Sequence, residues 1–411
     1  MANPNLSSAK NAKKDEFYTQ YSDIEAEMNA YIEYNSDVFR GKTILLPCDD
    51  PEWSNFTKYF ASNFERFGLK KLISTSYAKG EGNKQLTLFE EQSPLYNAEL
   101  HDTHGKLFTL THDTDGSGNI DMDDIEFSGY LDGDGDFRSE EVKKLRDEAD
   151  IIITNPPFSL FREFLKWIVD ANKRFIIIGN KNAITYKEVF PLLKENKIWI
   201  GYTPMSKDLL FEVPKEMQKE LLNTKKAGSA FRIIDGKILG RSQSIWFTNL
   251  DHGKRHEKLL LDTMAHNLKF NKKLKKKFNE YGVNKYPHYD NYDAIEIPFT
   301  ECIPSDYDRV MGVPISFLDK YNPEQFEIVG LAPERLSAKE ASLQIKRYIN
   351  AIQHKADGTT CSGNKVNDGP TLIYDSKPMK YPYYTSETVL NKYLEVLYAR
   401  ILIKKRNREE I

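Results

Sequence analysis

Short apolar runs that end in turns dominate the pattern of hydrophobic and polar positions along the chain. Runs rich in aliphatic and β-branched side chains predict buried strands, and they occupy residues 43–48, 69–76, 151–154, 174–179 and 244–249. Apolar positions at helical spacing follow several of these runs, and the clearest set is Leu160, Phe161, Phe164, Leu165 and Ile168. From residue 43 to about residue 200, strands and helices therefore alternate, which predicts an α/β fold with a doubly wound, mostly parallel sheet.

The turn after residues 151–153 carries the most information about function. It reads Thr154-Asn155-Pro156-Pro157-Phe158 and lies between a predicted strand and a predicted helix. Two consecutive prolines fix φ and remove two backbone donors, so the turn is stiff and rich in acceptors. A residue before a proline is held extended, which keeps Asn155 at the strand tip. In open α/β sheets ligands bind outside the carboxyl ends of the strands, so we expect chemistry at this turn.

Asn155, Pro156, Pro157 and Phe158 are the candidate catalytic residues. The Asn155 amide oxygen and the Pro156 carbonyl can both accept hydrogen bonds from one amino group. Drawing both protons toward acceptors turns the nitrogen lone pair out of conjugation, toward an electrophile. Because Phe158 adds a face on which a planar ring can stack, the site suits the exocyclic amino group of a base. The alternative is a strand-ending loop in which the prolines are only structural.

Four segments together resemble the EcoRI-type DNA adenine methyltransferase family. In chain order they are DEFYTQY at 15–21, CDDP at 48–51, GDGDFRS at 133–139 and TNPPFSLF at 154–161. Residues 184–190, 289–295 and 311–315 are also similar. The resemblance implies a Rossmann-like enzyme that moves a methyl group from S-adenosylmethionine to the amino nitrogen of an adenine flipped out of double-stranded DNA.

The resemblance also implies residues that hold the cofactor. Tyr18 and Thr19 would touch its methionine end. Asp136 would accept a hydrogen bond from its adenine amino group, and Phe137 would cover the adenine ring.

Cys48, Asp49 and Asp50 end the first predicted strand, where nucleotide-binding folds usually have a glycine-rich turn. Carboxylates there repel phosphate and attract the ammonium and sulfonium groups of S-adenosylmethionine. The turn therefore argues against NAD or ATP and makes Asp49 and Asp50 candidate cofactor ligands, and the resemblance of the CDDP segment adds Cys48. Asp50 is the predicted N-cap of the next helix, with Pro51 as its first residue.

Residues 113–124 partly match the calcium loop of an EF-hand. Side-chain oxygens occupy loop positions one, three, five, nine and twelve, namely Asp113, Asp115, Ser117, Asp121 and Asp124. Position twelve is Asp rather than the usual Glu, and the flanking residues 107–111 and 125–130 predict strands instead of helices. We therefore expect a hairpin with an acidic tip and no metal, with calcium binding as the alternative. Residues 124–131 would be the third strand of the sheet.

A basic composition marks the C-terminal part of the chain. Residues 269–277 contain six lysines in nine positions. The candidate DNA-binding residues are Lys272, Lys273, Lys275, Lys276 and Lys277, because cations on phosphates gain from counterion release. A solvated helix face is the alternative.

We expect a flexible arm at 1–14, a methyltransferase domain at 15–250 with an irregular insertion and the acidic hairpin at about 79–124, and a DNA target-recognition region at 251–411.

Composition limits the remaining choices. The 411 residues are 29% charged with a net charge of −3, and no run of about 18 apolar residues predicts a membrane span. The start of the chain lacks an apolar segment, so we expect no secretory signal. Three widely spaced cysteines suggest free thiols in a reducing cytoplasm.

The expected enzyme is an orphan modification enzyme or has a cognate restriction endonuclease that acts on the same site without direct contact. Alternatives are an amino-group methyltransferase acting on RNA or protein glutamine, and a non-enzymatic calcium or nucleic-acid binder.

Overall fold

The fold was analysed in a computed structural model of the chain. It describes residues 18–47, 49–51, 54–78, 94–212, 218–219, 222–223, 231–234, 236–333, 343–378 and 380–406. The predicted arm, Cys48 and residues 79–93 of the predicted insertion lie outside these ranges. The chain divides into two compact units, Met1–Lys181 with Trp199–Gly253, and Asn182–Ile198 with Lys254–Ile411. Within the described ranges, no helix is both long and apolar enough to cross a membrane.

The first unit combines β-strands with α-helices. In chain order they are β1 (Tyr18–Thr19), α1 (Tyr21–Tyr34), β2 (Thr43–Leu46), α2 (Asn55–Ser62), α3 (Phe64–Phe67), β3 (Lys71–Thr75), β4 (Lys106–Leu110), β5 (Glu126–Tyr130), α4 (Glu140–Glu148), β6 (Ile151–Thr154), α5 (Phe161–Asp170), β7 (Arg174–Asn180), β8 (Trp199–Ile200), β9 (Leu209–Glu212), β10 (Phe231–Ile234), β11 (Lys237–Ser242) and β12 (Ser244–Thr248). The apolar runs that predicted strands therefore correspond to β2, β3, β6, β7 and β12.

Eight of these strands form one sheet in the order β5-β4-β3-β2-β6-β7-β12-β8. The four central strands are parallel: β2 pairs with both β3 and β6, and β6 pairs with β7. Strands β4 and β5 at one edge, and β12 and β8 at the other, pair antiparallel. The chain passes from β2 outward to β3 and later enters on the other side of β2 through β6. The boundary between β2 and β6 is therefore the switch point at which open α/β sheets bind ligands.

The hydrophobic core covers both faces of the parallel strands. Ile44, Ile151 and Ile176 belong to a cluster on one face, which also includes α1 and the aromatic side of α2. Leu45 and Ile152, which alternate with them along the strands, are also fully buried. Burial on both faces explains why these strands read as continuous apolar runs.

The acidic segment forms the predicted hairpin, since β4 and β5 pair antiparallel on either side of it. Residues 124–131 are not the third parallel strand, because β5 lies at the antiparallel edge of the sheet. Carboxylate oxygens of Asp113, Asp115 and Asp124 lie within 4.8 Å of one another. Asp124, however, already accepts hydrogen bonds from the backbone N–H groups of Thr114 at 2.6 Å and Asp121 at 2.9 Å. The tip is thus closed by its own backbone.

A second, four-stranded sheet in this unit has the order β1-β9-β11-β10. Thr19 in β1 pairs with Phe211 in β9. This sheet fixes the backbone that leads into α1.

The second unit is built from short elements. Its helices and strands are α6 (Phe190–Lys194), α7 (Met264–Phe270), α8 (Lys272–Tyr281), β13 (Ile295–Glu296), β14 (Met311–Pro314), β15 (Phe326–Ala332), β16 (Ile352–His354), β17 (Thr360–Ser362), β18 (Thr371–Tyr374), β19 (Tyr383–Ser386), β20 (Val389–Val396) and β21 (Arg400–Lys405). They form sheets in the orders β13-β14-β21-β15 and β17-β16-β19-β20-β18. The fully buried Glu296 accepts two hydrogen bonds from the Arg400 guanidinium, at 2.8 and 3.0 Å, which ties β13 to β21.

Candidate active site

The Asn-Pro-Pro-Phe turn follows β6, as the apolar pattern predicted. Asn155 is half-buried and its amide oxygen is inaccessible to solvent. Phe158 is half-buried and packs against the core of the first unit. It begins a 3₁₀ turn, Phe158–Leu160, that runs directly into α5. The turn therefore holds Asn155 at the carboxyl end of a central strand, beside the switch point.

Asp49 connects the turn after β2 to the turn after β6. Its carboxylate accepts a hydrogen bond from Thr154 Oγ1 at 2.6 Å and from Ser54 Oγ at 2.7 Å. Asp49 is 9% exposed, and Thr154, the residue before Asn155, is 1% exposed. The structure thus brings together two predicted site segments that are about 100 residues apart in sequence.

The predicted helix start at Asp50 is wrong. Helix α2 begins at Asn55, and its N-cap is Ser54, whose Oγ accepts from the Phe56 N–H at 3.1 Å and the Thr57 N–H at 3.3 Å. The backbone carbonyl of Asp50 instead accepts a hydrogen bond from the Ser54 N–H at 2.8 Å. Asp50 therefore lies in the turn before the helix.

Two buried polar groups lie at the start of α1. Thr19 Oγ1 and Gln20 Nε2 are both buried and have no hydrogen-bond partner among the described residues. Because buried polar groups are nearly always paired, these two groups are candidates for contact with a ligand. The Thr19 carbonyl accepts from Asn55 Nδ2 at 2.7 Å, so the first residue of α2 holds this backbone. The sequence analysis did not select Gln20, although it is the sixth residue of the DEFYTQY segment.

The loop that contains Asp136 lies against the end of β3. Gly135 has φ +85°, and a Cβ there would be 2.3 Å from the Ser76 carbonyl oxygen, so only glycine fits. The Asp134 carbonyl accepts from the Ala78 N–H at 2.7 Å. The Asp136 loop therefore reaches the carboxyl ends of the same parallel strands as Asp49 and Asn155.

Arg138 orients the Asp136 carboxylate. Its Nε donates to Asp136 Oδ1 at 2.8 Å, and its Nη2 donates to Oδ2 at 2.6 Å. Its Nη1 also donates to Glu163 of α5 at 3.1 Å. These bonds from Arg138 hold the pKa of Asp136 below its ordinary value, so the carboxylate stays an ionised acceptor.

Phe137 is almost fully buried. It is 3% exposed, and its ring packs edge-on against Phe164 and Trp167, with centroid distances of 5.0 and 5.6 Å. The ring therefore offers little surface to an adenine, and the structure supports its predicted cofactor contact less than that of Asp136. The side chain of Tyr18 and all of Cys48 lie outside the described part of the chain.

The predicted basic segment is helix α8. Leu274, Phe278 and Tyr281 form its buried face. Lys273 pairs with Glu301 at 3.3 Å, and Lys277 pairs with Glu280 at 3.2 Å. The exposed lysines for which the described residues show no ion pair are Lys272, Lys275 and Lys276. The helix thus presents a cationic outer face.

Comparison with known proteins identifies the family to which the chain is similar. The family model described as adenine-specific methyltransferase EcoRI matches residues 5–406. The chain is 43% identical over 324 residues to the type II methyltransferase M.EcoRI of Escherichia coli, which covers 79% of this chain and 88% of that protein. It is 34% identical over 361 residues to M.MpnI of Mycoplasma pneumoniae, covering 87% and 94% of the two chains. M.MgeORF184P of Mycoplasma genitalium is 35% identical over 322 residues, covering 78% and 84%.

No solved structure matches the chain. The match over almost the whole sequence confirms the resemblance noted from the motifs, and this chain belongs to the EcoRI family of adenine-specific methyltransferases.

Proposed function

We propose that this protein is a site-specific DNA adenine methyltransferase that transfers a methyl group from S-adenosylmethionine to the exocyclic amino nitrogen of a flipped adenine. The observation that carries the proposal is the Asn-Pro-Pro-Phe turn at the switch point of the sheet, in a chain of this family. The family match argues against transfer to a protein glutamine and against a non-enzymatic role.

The residues at the strand ends fit S-adenosylmethionine. Gln20 Nε2 and Thr19 Oγ1 supply a buried donor and a buried hydroxyl that have no partner among the described residues, and they suit the carboxylate and ammonium of its methionine end. Asp136, held ionised by Arg138, suits its adenine amino group. When bound, the cofactor supplies an electrophilic methyl group on sulfur. Asp49 and Asp50 add negative charge near a sulfonium, and Cys48 and Tyr18 remain predicted contacts.

The turn would bind and orient the target amino group. Asn155 Oδ1 and the Pro156 carbonyl would accept hydrogen bonds from its two N–H groups, and Pro157 would keep the backbone stiff. Because the Asn155 oxygen is buried, the amino group reaches it only after a local rearrangement. Phe158 stacks on the base, which must leave the duplex to reach the turn. Rate then comes from alignment of nitrogen, methyl carbon and sulfur.

The second unit, with the cationic face of α8, is the proposed surface for target recognition on double-stranded DNA. The relatives are named type II methyltransferases, so we propose a role in restriction-modification in the cytoplasm. A cognate endonuclease would act on the same site without contacting this protein.

Product analysis tests the proposal. The protein is incubated with methyl-labelled S-adenosylmethionine and a mixture of duplex DNA of random sequence, RNA and unrelated protein, and the labelled molecules and positions are mapped. We expect N6-methyladenine at one sequence only. Label on RNA or protein instead of DNA would contradict the proposal.

A further inference from the structure

We propose that Asp49 and Thr154 are positioning residues, and that their hydrogen bond fixes Asn155 for methyl transfer. This inference rests on the proposed function of the turn. It assigns Asp49 an action through Thr154 that is additional to its predicted effect on the cofactor.

Both Asp49 carboxylate oxygens are engaged by hydroxyl groups. Oδ2 accepts from Thr154 Oγ1 at 2.6 Å, and Oδ1 accepts from Ser54 Oγ at 2.7 Å. Thr154 Oγ1 also lies 3.0 Å from the Pro47 carbonyl, but it has one proton. The contact with the Asp49 carboxyl oxygen is the shorter of the two, and we assign the Thr154 proton to it.

The Asp49 backbone is itself fixed. Its carbonyl oxygen accepts from Thr57 Oγ1 at 3.1 Å and from the hydroxyl of Ser74, the fourth residue of β3. The Thr57 and Ser74 hydroxyl oxygens lie 3.1 Å apart, so the two side chains meet at the Asp49 carbonyl. The carboxylate therefore acts from a rigid base formed by α2 and β3, both of which pack in the core of the first unit.

Asn155 is held from two sides as a result. On its carboxyl side, Pro156 and Pro157 limit the backbone. On its amino side, Thr154 is anchored sideways to Asp49 at the end of β6. Loss of the Thr154 hydroxyl leaves the prolines in place but frees the strand tip, so Asn155 can shift relative to the methyl donor.

The Asp49 carboxylate is also linked, through Ser54 and the adjacent Asn55, to the residues that are proposed to bind the cofactor. It bonds Ser54, the N-cap of α2, and the adjacent Asn55 donates to the Thr19 carbonyl at 2.7 Å. A change at Asp49 should therefore disturb both the catalytic turn and cofactor binding, whereas a change at Thr154 should disturb the turn alone. This difference gives the two substitutions separate kinetic signatures.

Thr154→Val tests the inference, since valine has the shape of threonine without the hydroxyl. A misplacement of a reacting group by about 1 Å costs roughly 100-fold in rate. We expect the single-turnover rate constant, at saturating DNA and S-adenosylmethionine, to fall by about 10- to 100-fold. The dissociation constants of DNA and of S-adenosylmethionine should each change by less than about threefold. Thr154→Ser, which keeps the hydroxyl, should retain most of the wild-type rate.

Thr248→Val is the matched control. Thr248 is fully buried in β12 of the same sheet, and its hydroxyl donates to the Phe175 carbonyl at 2.8 Å and accepts from the Leu250 N–H at 2.9 Å. It should lower the melting temperature without lowering the single-turnover rate of the folded protein.

Three results would overturn the inference: a Thr154→Val rate within about threefold of wild type, an equal loss in Thr248→Val, or no rescue by serine. If Thr154→Val does not fold, Asp49→Leu decides, because leucine is similar in size and cannot accept the Thr154 hydrogen bond. A rate and cofactor affinity like those of wild type in Asp49→Leu would then refute the positioning role. Asn155→Ala separates this test from the proposed function: if that variant loses activity while Thr154→Val does not, only the positioning role fails.

Discussion

The Asp136 carboxylate should contribute much to cofactor affinity and little to stability. Its side chain is 21% exposed and its partner Arg138 is 54% exposed, so the ion pair contributes at most about 1 kcal/mol to the free energy of unfolding. A hydrogen bond to a charged acceptor contributes about 1.5–3 kcal/mol. Since about 1.4 kcal/mol is tenfold in an equilibrium constant, Asp136→Ala should raise the dissociation constant of S-adenosylmethionine about 10- to 150-fold.

Isothermal titration calorimetry measures that dissociation constant. The matched control is Asp132→Ala, which removes the same charge from an exposed residue four positions earlier in the same loop region. We expect the control to bind like wild type and both variants to melt within a few degrees of it. Equal affinity of Asp136→Ala and wild type would refute the assignment of Asp136 to the cofactor.

The pH dependence of binding follows from the direction of the Asp136 pKa. Arg138 lowers that pKa, so the carboxylate is ionised at every pH above its ordinary value. The contribution of a group with a depressed pKa is present above that value and is lost only as the pH falls through the lower folded-state pKa. Affinity should therefore not vary through the neutral range on account of Asp136. A loss of affinity between neutral pH and mild acid that disappears in Asp136→Ala would contradict this.

Three further predictions concern parts of the molecule outside the site. Replacing Lys272, Lys275 and Lys276 by Gln should weaken DNA binding and reduce the slope of log affinity against log salt by about 0.9 for each phosphate contact removed. An unchanged slope would mean that these lysines only keep the outer face of α8 solvated. Replacing residues 113–124 by a short Asn-Gly turn should leave methylation intact, and loss of an activity that calcium supports would show that the acidic tip binds the metal. Burial raises the pKa of Cys302 to about 12, so alkylation of the native protein should spare it and label the exposed Cys361, as peptide mass analysis would show.

The central strands could be predicted because their environment is uniform. Residues in β2, β6 and β7 are buried on both faces, so apolar runs marked them without knowledge of their neighbours. The Asn-Pro-Pro-Phe turn could be predicted because prolines impose local geometry whatever surrounds them.

The parts that the sequence analysis missed depend on tertiary contacts. The N-cap of α2 is Ser54 rather than Asp50, and the bond from Ser54 to Asp49 is visible only once the turn is folded. The link from Asp49 to Thr154 joins residues that are distant in sequence. Residues 124–131 were expected to be the third strand of the sheet, but the hairpin with β4 makes β5 the fourth strand of that sheet in chain order and places it at the antiparallel edge. Gln20 gives no pattern of its own, and it became a candidate only through a buried amide nitrogen that has no hydrogen-bond partner among the described residues.

The single-turnover methylation rate of Asn155→Ala tests the central claim most directly. The substitution removes one of two acceptors for the amino group and keeps both prolines, so the turn should persist. By analogy with the loss of one stabilising group in other active sites, the rate at saturating cofactor and duplex DNA should fall about 100- to 1000-fold or more, while both ligands still bind. Asn119→Ala, an exposed asparagine at the hairpin tip, is the control and should keep the wild-type rate. If Asn155→Ala methylates DNA at the wild-type rate, the turn is structural and the proposed mechanism is wrong.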